Sequence, residues 1–302
     1  MFFPIAGVEV SPFIPPLVAF AVSFLSSMGG ISGAFLLVPF QVSVLGYTAP
    51  SVSATNQFFN VVAIPSGVYR YIKEKRMVWP LTFAVAAGTL PGVFIGAYAR
   101  VVWLPDPRLF KLFVAAVLLY IGIKLIQDLL KRTAAKPVAS LKGQQAAASQ
   151  PFEVKVEEFS TKRIAYTFQG ETYTCPTVGI FVLSFIVGII GGAYGIGGGS
   201  IIAPFFVAWF RLPVHTISGA ALMGTFLTSV AGVLFFMVIA PFFPGQSVAP
   251  DWQLGLLFGI GGIAGMYCGA RCQKFVPAAY IKWMLAVVIV GTATKYLVEF
   301  FH

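Results

Sequence analysis

Apolar stretches long enough to cross a hydrocarbon layer follow one another along most of this 302-residue chain. Residues 12 to 45, 51 to 69, 79 to 99 and 109 to 130 form four runs in the first half. Residues 177 to 210, 214 to 243, 252 to 272 and 279 to 301 form four more in the second. Only 10% of the residues are charged, against about 25% in a soluble domain, so a water-soluble surface cannot be assembled from them. The expectation is an all-α, polytopic transmembrane helix bundle whose first partner is the lipid bilayer.

The net charge is +10, but the basic residues sit between apolar runs. That placement reads as topology, because basic loops stay in the cytoplasm. No basic stripe is interleaved with exposed aromatics, which argues against nucleic acid. Cys175, Cys268 and Cys272 match no zinc or disulfide framework. A Walker A loop and a His-Glu-x-x-His pair are missing, and His215 and His302 are the two histidines. Neither an enzyme, a cofactor nor a metal is expected. The opening residues, MFFPIAGVEVSPFIPP, carry no Lys or Arg. They lack the basic region of a signal peptide, so the first helix is expected to remain in the mature chain.

The two halves repeat one another. Gly30-Ile31-Ser32-Gly33 matches Gly195-Ile196-Gly197-Gly198, Pro39-Phe40 matches Pro204-Phe205, and Ser53 matches Ser218 in the same register. After a small change of register Trp79 pairs with Trp252, Gly88 with Gly261, Gly92 with Gly265 and Gly96 with Gly269. Lys111 and Lys124 then answer to Lys282 and Lys295. The organisation is therefore a first transmembrane repeat over 1–130, a polar cytoplasmic connector over 131–175 and a second repeat over 176–302. Alternation over Phe152–Val156 and Ile164–Tyr173 suggests a short β-hairpin or an ordered flap in the connector. Internal repeats of this type are a common plan of secondary transporters.

Basic residues in the loops separate inverted from parallel repeats. Arg70, Lys73, Lys75 and Arg76 follow the second run, whereas the counterpart 243–251 has no Lys or Arg. Suppose the glycine-broken first stretch of each half enters and leaves on one side. The 70–76 loop, the connector, Arg211 and the 271–282 loop then fall in the cytoplasm and 243–251 falls outside. Only 100–111 lies against the rule. Two full crossings by the broken stretches fit worse, so inverted repeats with broken or re-entrant helices at their starts are expected.

The glycines have two jobs. Gly88, Gly92 and Gly96, and again Gly261, Gly265 and Gly269, recur every four residues and clear one helix face for close packing. Gly191 to Ser200 is too glycine-dense for a continuous helix. A break inside a bilayer is tolerated where the freed backbone faces protein or a wet cavity. Half-helices starting there aim positive dipole ends and N–H groups inward, which suits an anion. A small anion is thus expected between the two breaks. Backbone around Gly30, Ser32 and Gly33 and around Gly195, Gly197, Gly198 and Gly199 would hold it, with Ser53, Asn56, Ser218 and Thr225 completing its shell. Asn56, Gln57 and Asn60 are hard to dismiss as packing, because each amide needs several partners. No Lys or Arg is read deep in the core. All ten Asp and Glu lie in loops, in the connector or near the ends of runs. Cys268 and Cys272, four apart on one helix, are expected to be packing residues.

These motifs resemble the TauE/SafE sulfite exporter family. The resemblance rests on Gly30-Ile31-Ser32-Gly33 running to Pro39-Phe40, and on Gly195 to Gly199 followed by Pro204-Phe205. Ser53-Ala54-Thr55-Asn56, Ser218-Gly219-Ala220-Ala221 and the glycine-ladder helices fit the same pattern. It covers nearly the whole chain outside 131–175. It implies a secondary transporter of sulfite or a related sulfur-containing anion, such as a sulfonate, sulfoacetate or thiosulfate, in a bacterial inner membrane. Ser32 and Ala34 stand where the second half has Gly197 and Gly199, a departure from the fuller glycine pattern. Two other classes stay open: a passive anion channel, and an assembly partner docking through 131–175. A homo-oligomer stays open as well.

Overall fold

The computed structural model describes residues 1–28, 32–73, 75, 77–134, 154–272 and 278–301. Gly30 and the first part of the connector, 135–153, lie outside the described residues. A two-residue hairpin, β1 (Phe2–Phe3) and β2 (Val8–Glu9), opens the chain. The first half continues as α1 (Ile14–Met28), α2 (Ala34–Ser43), α3 (Ser51–Ala63), α4 (Pro65–Lys73), α5 (Trp79–Val102) and α6 (Pro107–Ala134). The second half contains α7 (Thr177–Tyr194), α8 (Gly199–Trp209), α9 (Val214–Ile239), α10 (Trp252–Cys272) and α11 (Ala278–Phe301). Among the described residues α5, α7 and the stretch Thr216–Phe242 are each long and apolar enough to cross a membrane.

Each glycine-dense segment separates two helices, α1 from α2 and α7 from α8, as its composition demands. The run over 51–69 is also divided, because Pro65 cannot donate a hydrogen bond to the preceding turn. Its counterpart α9 has no internal proline and continues unbroken for 26 residues.

Between the halves the fold is not purely helical. Strands β3 (Val154–Phe159), β4 (Arg163–Phe168) and β5 (Glu171–Pro176) form an antiparallel sheet in chain order. The hairpin anticipated there gains a third strand. Ile164, Tyr166, Phe168 and Cys175 bury one side of it, and burial pushes the Cys175 thiol up to about 11. The sheet is tied to the bundle at the two ends of β3: Val154 N–H donates to Lys75 O, and Thr177 Oγ1 donates to Ser160 O. This end of the molecule is called the flap end, and the other the hairpin end.

The helices pair across the halves. The glycine ladder of α5 lies along α7, and that of α10 lies along α1. A Cβ at Gly88, Gly92 or Gly96 would stand 2.5, 2.4 or 2.0 Å from the carbonyl oxygens of Phe181, Phe185 and Ile189. At Gly261, Gly265 and Gly269 the oxygens of Pro16, Phe20 and Phe24 lie 2.0, 2.4 and 2.3 Å away. Backbones approach this closely only where side chains are missing. Exchanging the halves leaves the pairing unchanged, since α3 packs on its own counterpart α9 and α6 on its counterpart α11. In both of these pairs the helices run in opposite directions. Asn60 bonds Ser229 while Gln57 meets Gly232. Lys111 pairs with Glu299 while Gly122 meets Val290.

Each broken stretch begins and ends at one end of the molecule. The loop before α10 holds both ends of the first. Ala6 N–H donates to Asp251 Oδ2 (3.1 Å) and Ser247 Oγ to Ile5 O (2.7 Å); Ser51 N–H donates to Ser247 O (2.8 Å). The second stretch is held at the flap end. Thr177 bonds the sheet, Tyr166 OH and Thr216 Oγ1 share a 2.8 Å hydrogen bond, and Gly179 faces the ring of Phe210. Arg100 corrects the reading that no cation lies deep. It is fully buried at the hairpin end, donates to Thr48 O (2.7 Å) and Leu104 O, and stacks on Phe110. There it fastens the loop before α3 to the turn after α5.

Candidate functional site

The α7–α8 break is built by glycine backbone and closed by amide side chains. Gly195 and Gly197 adopt φ of 84° and 71°, the left-handed region that only glycine enters without strain. Gly195 and Ile196 N–H both turn back to Gly191 O, which ends α7. The carbonyls beyond need other donors, and α3 supplies them. Ser53 Oγ donates to Ala193 O (2.9 Å), Asn56 Nδ2 to Gly195 O (2.8 Å) and Asn60 Nδ2 to Ile196 O (3.1 Å). Residues 53, 56 and 60 share one helical face, so a single helix can satisfy three carbonyls of the break.

The same side chains reach the first break. Asn56 Nδ2 also donates to Ala34 O (3.0 Å), at the start of α2. Ser32 Oγ donates to Asn60 Oδ1 (3.0 Å), Gln41 Nε2 donates to Asn56 Oδ1 (3.2 Å), and Tyr194 OH donates to Phe35 O (2.8 Å). Both breaks are therefore stitched to α3 and to one another. Asn56 spends both amide hydrogens on backbone carbonyls and so acts as a clamp.

Gly198 N-caps α8 and Gly33 N-caps α2, neither with a side-chain cap. Helix geometry leaves the first N–H groups of each without an intrahelical partner. Ala34 N–H finds Ser32 Oγ at 3.3 Å. The start of α8 is pressed on its neighbours. A Cβ at Gly199 would stand 1.9 Å from Ala221 O, one at Gly198 2.6 Å from Thr89 Cγ2, and one at Gly197 2.7 Å from Thr225 Cγ2.

Of the residues singled out in the sequence, Ser32, Gly33, Ser53, Asn56, Gly195, Gly197, Gly198, Gly199 and Thr225 gather at these two breaks. Ser218 lies seven residues before Thr225 on α9, about 10 Å along the axis. The expected ligand set omitted Asn60, Gln41, Ser229 and Thr89. The spacing of Asn56 and Asn60 on one face could have added Asn60. Thr89 had no such signal, because it is embedded in the α5 glycine ladder. Cys268 and Cys272 are free thiols, half-buried on α10. A groove of about 550 Å³ opens on the flank between α6, α7 and α8, lined by apolar and aromatic side chains such as Phe113, Tyr120 and Phe205. It offers an anion no donor comparable to the breaks. Among the described residues no three of His, Cys, Asp and Glu cluster as metal ligands.

The chain is similar in sequence to known membrane transporter proteins. The chain is 23% identical over 286 residues to the probable membrane transporter protein YunE of Bacillus subtilis (strain 168), covering 90% of this chain and 92% of that one. It is 27% identical over 122 residues to the probable membrane transporter protein YdhB of the same strain, covering 40% and 46% of the two chains. It is 26% identical over 120 residues to the probable membrane transporter protein MJ0441 of Methanocaldococcus jannaschii, covering 38% and 42%. No solved structure matches. The sequence model of the family described as sulfite exporter TauE/SafE matches residues 16–296, and the chain belongs to that family of membrane transporters.

Proposed function

We propose that this protein is a multi-pass carrier of the bacterial inner membrane that exports sulfite or a related small sulfur-containing anion, bound between the two helix breaks. One observation carries this reading. The carbonyls of Ala193, Gly195 and Ile196 are bonded by Ser53, Asn56 and Asn60, while the helices leaving both breaks start at glycines that supply no side-chain cap. The centre thus presents N–H groups and positive helix ends without a fixed cation, a field that attracts an anion and still releases it. Sulfite titrates near neutral pH and can bring its own proton, so no membrane carboxylate is required. The substrate and direction follow the family description. Thermal unfolding of purified protein against sulfite, thiosulfate, sulfoacetate and methanesulfonate tests the class. At about 100 times the dissociation constant a ligand adds about 2.7 kcal/mol, a rise of roughly 4 °C for a chain of this size. A panel that leaves the unfolding temperature unchanged, or that works no better than chloride, defeats the proposal.

We also propose inverted repeats whose broken stretches are re-entrant hairpins, with the flap end in the cytoplasm. The antiparallel packing of α3 on α9 and of α6 on α11 supports inversion. The shared tether of each stretch's two ends supports re-entry. In the 100–111 region that opposed the charge rule, Arg100 is buried as a clamp and Lys111 is bonded to Glu299. Two of its three basic residues therefore have structural roles. Single cysteines placed at 73 and 246 of cysteine-free protein test the arrangement. An impermeant maleimide applied to intact cells is expected to label 246 and spare 73. The reverse pattern, or equal labelling of both, rejects the orientation.

A further inference from the structure

Gln57 departs from the match between the halves at an interface where they meet as equals. The alignment that pairs Ser53 with Ser218 also pairs Gln57 with Leu222 and Gly67 with Gly232. The antiparallel contact of α3 and α4 with α9 therefore contains two related notches. In one, Leu222 lies over Gly67, its Cδ1 3.6 Å from where a Cβ would stand. In the other, Gln57 lies over Gly232, its Oε1 1.8 Å from the corresponding point. Hydrocarbon fills the first notch, so the packing itself does not call for an amide. Yet Gln57 is fully buried, and among the described residues neither its Nε2 nor its Oε1 has a hydrogen-bond partner. Buried amides are kept when something satisfies them, because an unpaired donor and acceptor cost far more than the leucine of the twin notch.

The surroundings say what that something is. Asn56 and Asn60, on the same helix, spend their amide hydrogens on the break and its neighbours. Gln57 is adjacent to them and uncommitted. One turn from Gly232 along α9, Ser229 joins Asn60 beside Gly197. In the other direction Ala54, Ala97, Val101, Phe236, Ile239 and Val248 form a separate apolar cluster. Gln57 therefore stands between the α7–α8 break and an apolar plug at the hairpin end.

We infer that Gln57 contacts the transported anion on the hairpin-end side of the break and selects an oxyanion that carries an O–H group. The inference rests on the carrier reading above. Nε2 donates to an anionic oxygen, as many groups at the break can. Oε1 is satisfied only by a donor. Hydrogen sulfite in its O–H form supplies one; an aprotic sulfonate supplies acceptors alone and leaves Oε1 unpaired.

The test is binding of sulfite, just below neutral pH, and of methanesulfonate to the full chain in detergent, by calorimetry. Gln57→Leu copies the twin notch. It is expected to unfold at the wild-type temperature or above it, to bind sulfite about tenfold more weakly, and to bind methanesulfonate within about threefold of wild type. Gln57→Met, which keeps the unbranched shape, is expected to do the same. Unchanged sulfite affinity in either folded variant overturns the contact. Failure of both variants to fold assigns the amide to the architecture and overturns it too. Equal losses for the two anions overturn the selection of a protonated ligand. Wild-type protein that binds neither anion removes the carrier reading, and this inference with it.

Discussion

Replacing Gly199 by alanine is expected to prevent α8 from docking on α9. The added Cβ would lie 1.9 Å from Ala221 O, 2.5 Å from Thr225 Oγ1 and 2.8 Å from Thr225 N. Two of those three atoms are backbone in the long helix α9, which cannot swing aside as a side-chain tip does. The half-helix must retreat, and the break that it shares with Gly197 and Gly198 retreats with it. Overpacking ordinarily costs about 1–3 kcal/mol. A collision with backbone belongs at or above the upper end, on the order of 3 kcal/mol or more. The measurement is the unfolding temperature and the monodisperse fraction in detergent, beside Gly291→Ala. A Cβ at Gly291, within α11, meets nothing within 4 Å, so that change is expected to be neutral or to stabilise by about 0.5–1 kcal/mol. A Gly199→Ala protein as stable as its Gly291→Ala control would show that the contact at α8 is not what the geometry describes.

Asn60→Leu is expected to be about as damaging, for a different reason. Asn60 donates to Ile196 O and Ser229 Oγ and accepts from Ser32 Oγ. Leucine has similar bulk but removes all three hydrogen bonds. Losing a buried hydrogen bond costs about 1–3 kcal/mol where no other partner takes over, and with partial relaxation the total should be about 3–5 kcal/mol. Unfolding in denaturant would measure it. The informative comparison is Gln57→Leu, the same amide-to-leucine change three residues earlier on α3. Asn60 is a clamp and its loss should lower stability and anion binding together. Gln57 has no hydrogen-bond partner among the described residues, and its loss should spare stability. Equal stability losses at the two positions would remove the distinction drawn here between clamp and ligand.

The runs, the ladders and the breaks were legible in the sequence because each depends on local spacing. The stretch Trp79–Val102 is apolar over 24 residues and must be a helix in a lipid environment. Gly88, Gly92 and Gly96 fall on one face whatever that face meets. Gly191 to Gly199 cannot hold a continuous helix, so a break was implied before any partner was known. The repeat placed a second break at the start of the first half. The expectation of an anion at the breaks followed from the helix dipole alone.

Tertiary structure decided what each local feature touches. Either ladder could have packed on a helix of its own half; only the assembled bundle puts α5 on α7 and α10 on α1. Asn56 and Ser53 looked like ligands because a polar side chain in an apolar run needs partners. The partners proved to be carbonyls of the break, 139 and 140 residues further along the chain. Arg100 looked like a loop charge until the loop before α3 folded over it. The third strand of the flap and the division between α3 and α4 likewise depended on neighbours or on one proline within a longer pattern. Apolar periodicity is a property of a segment and can be read from that segment. The satisfaction of a buried hydrogen-bonding group is a property of two segments, and the one that supplies the partner is known only when the chain has brought them together.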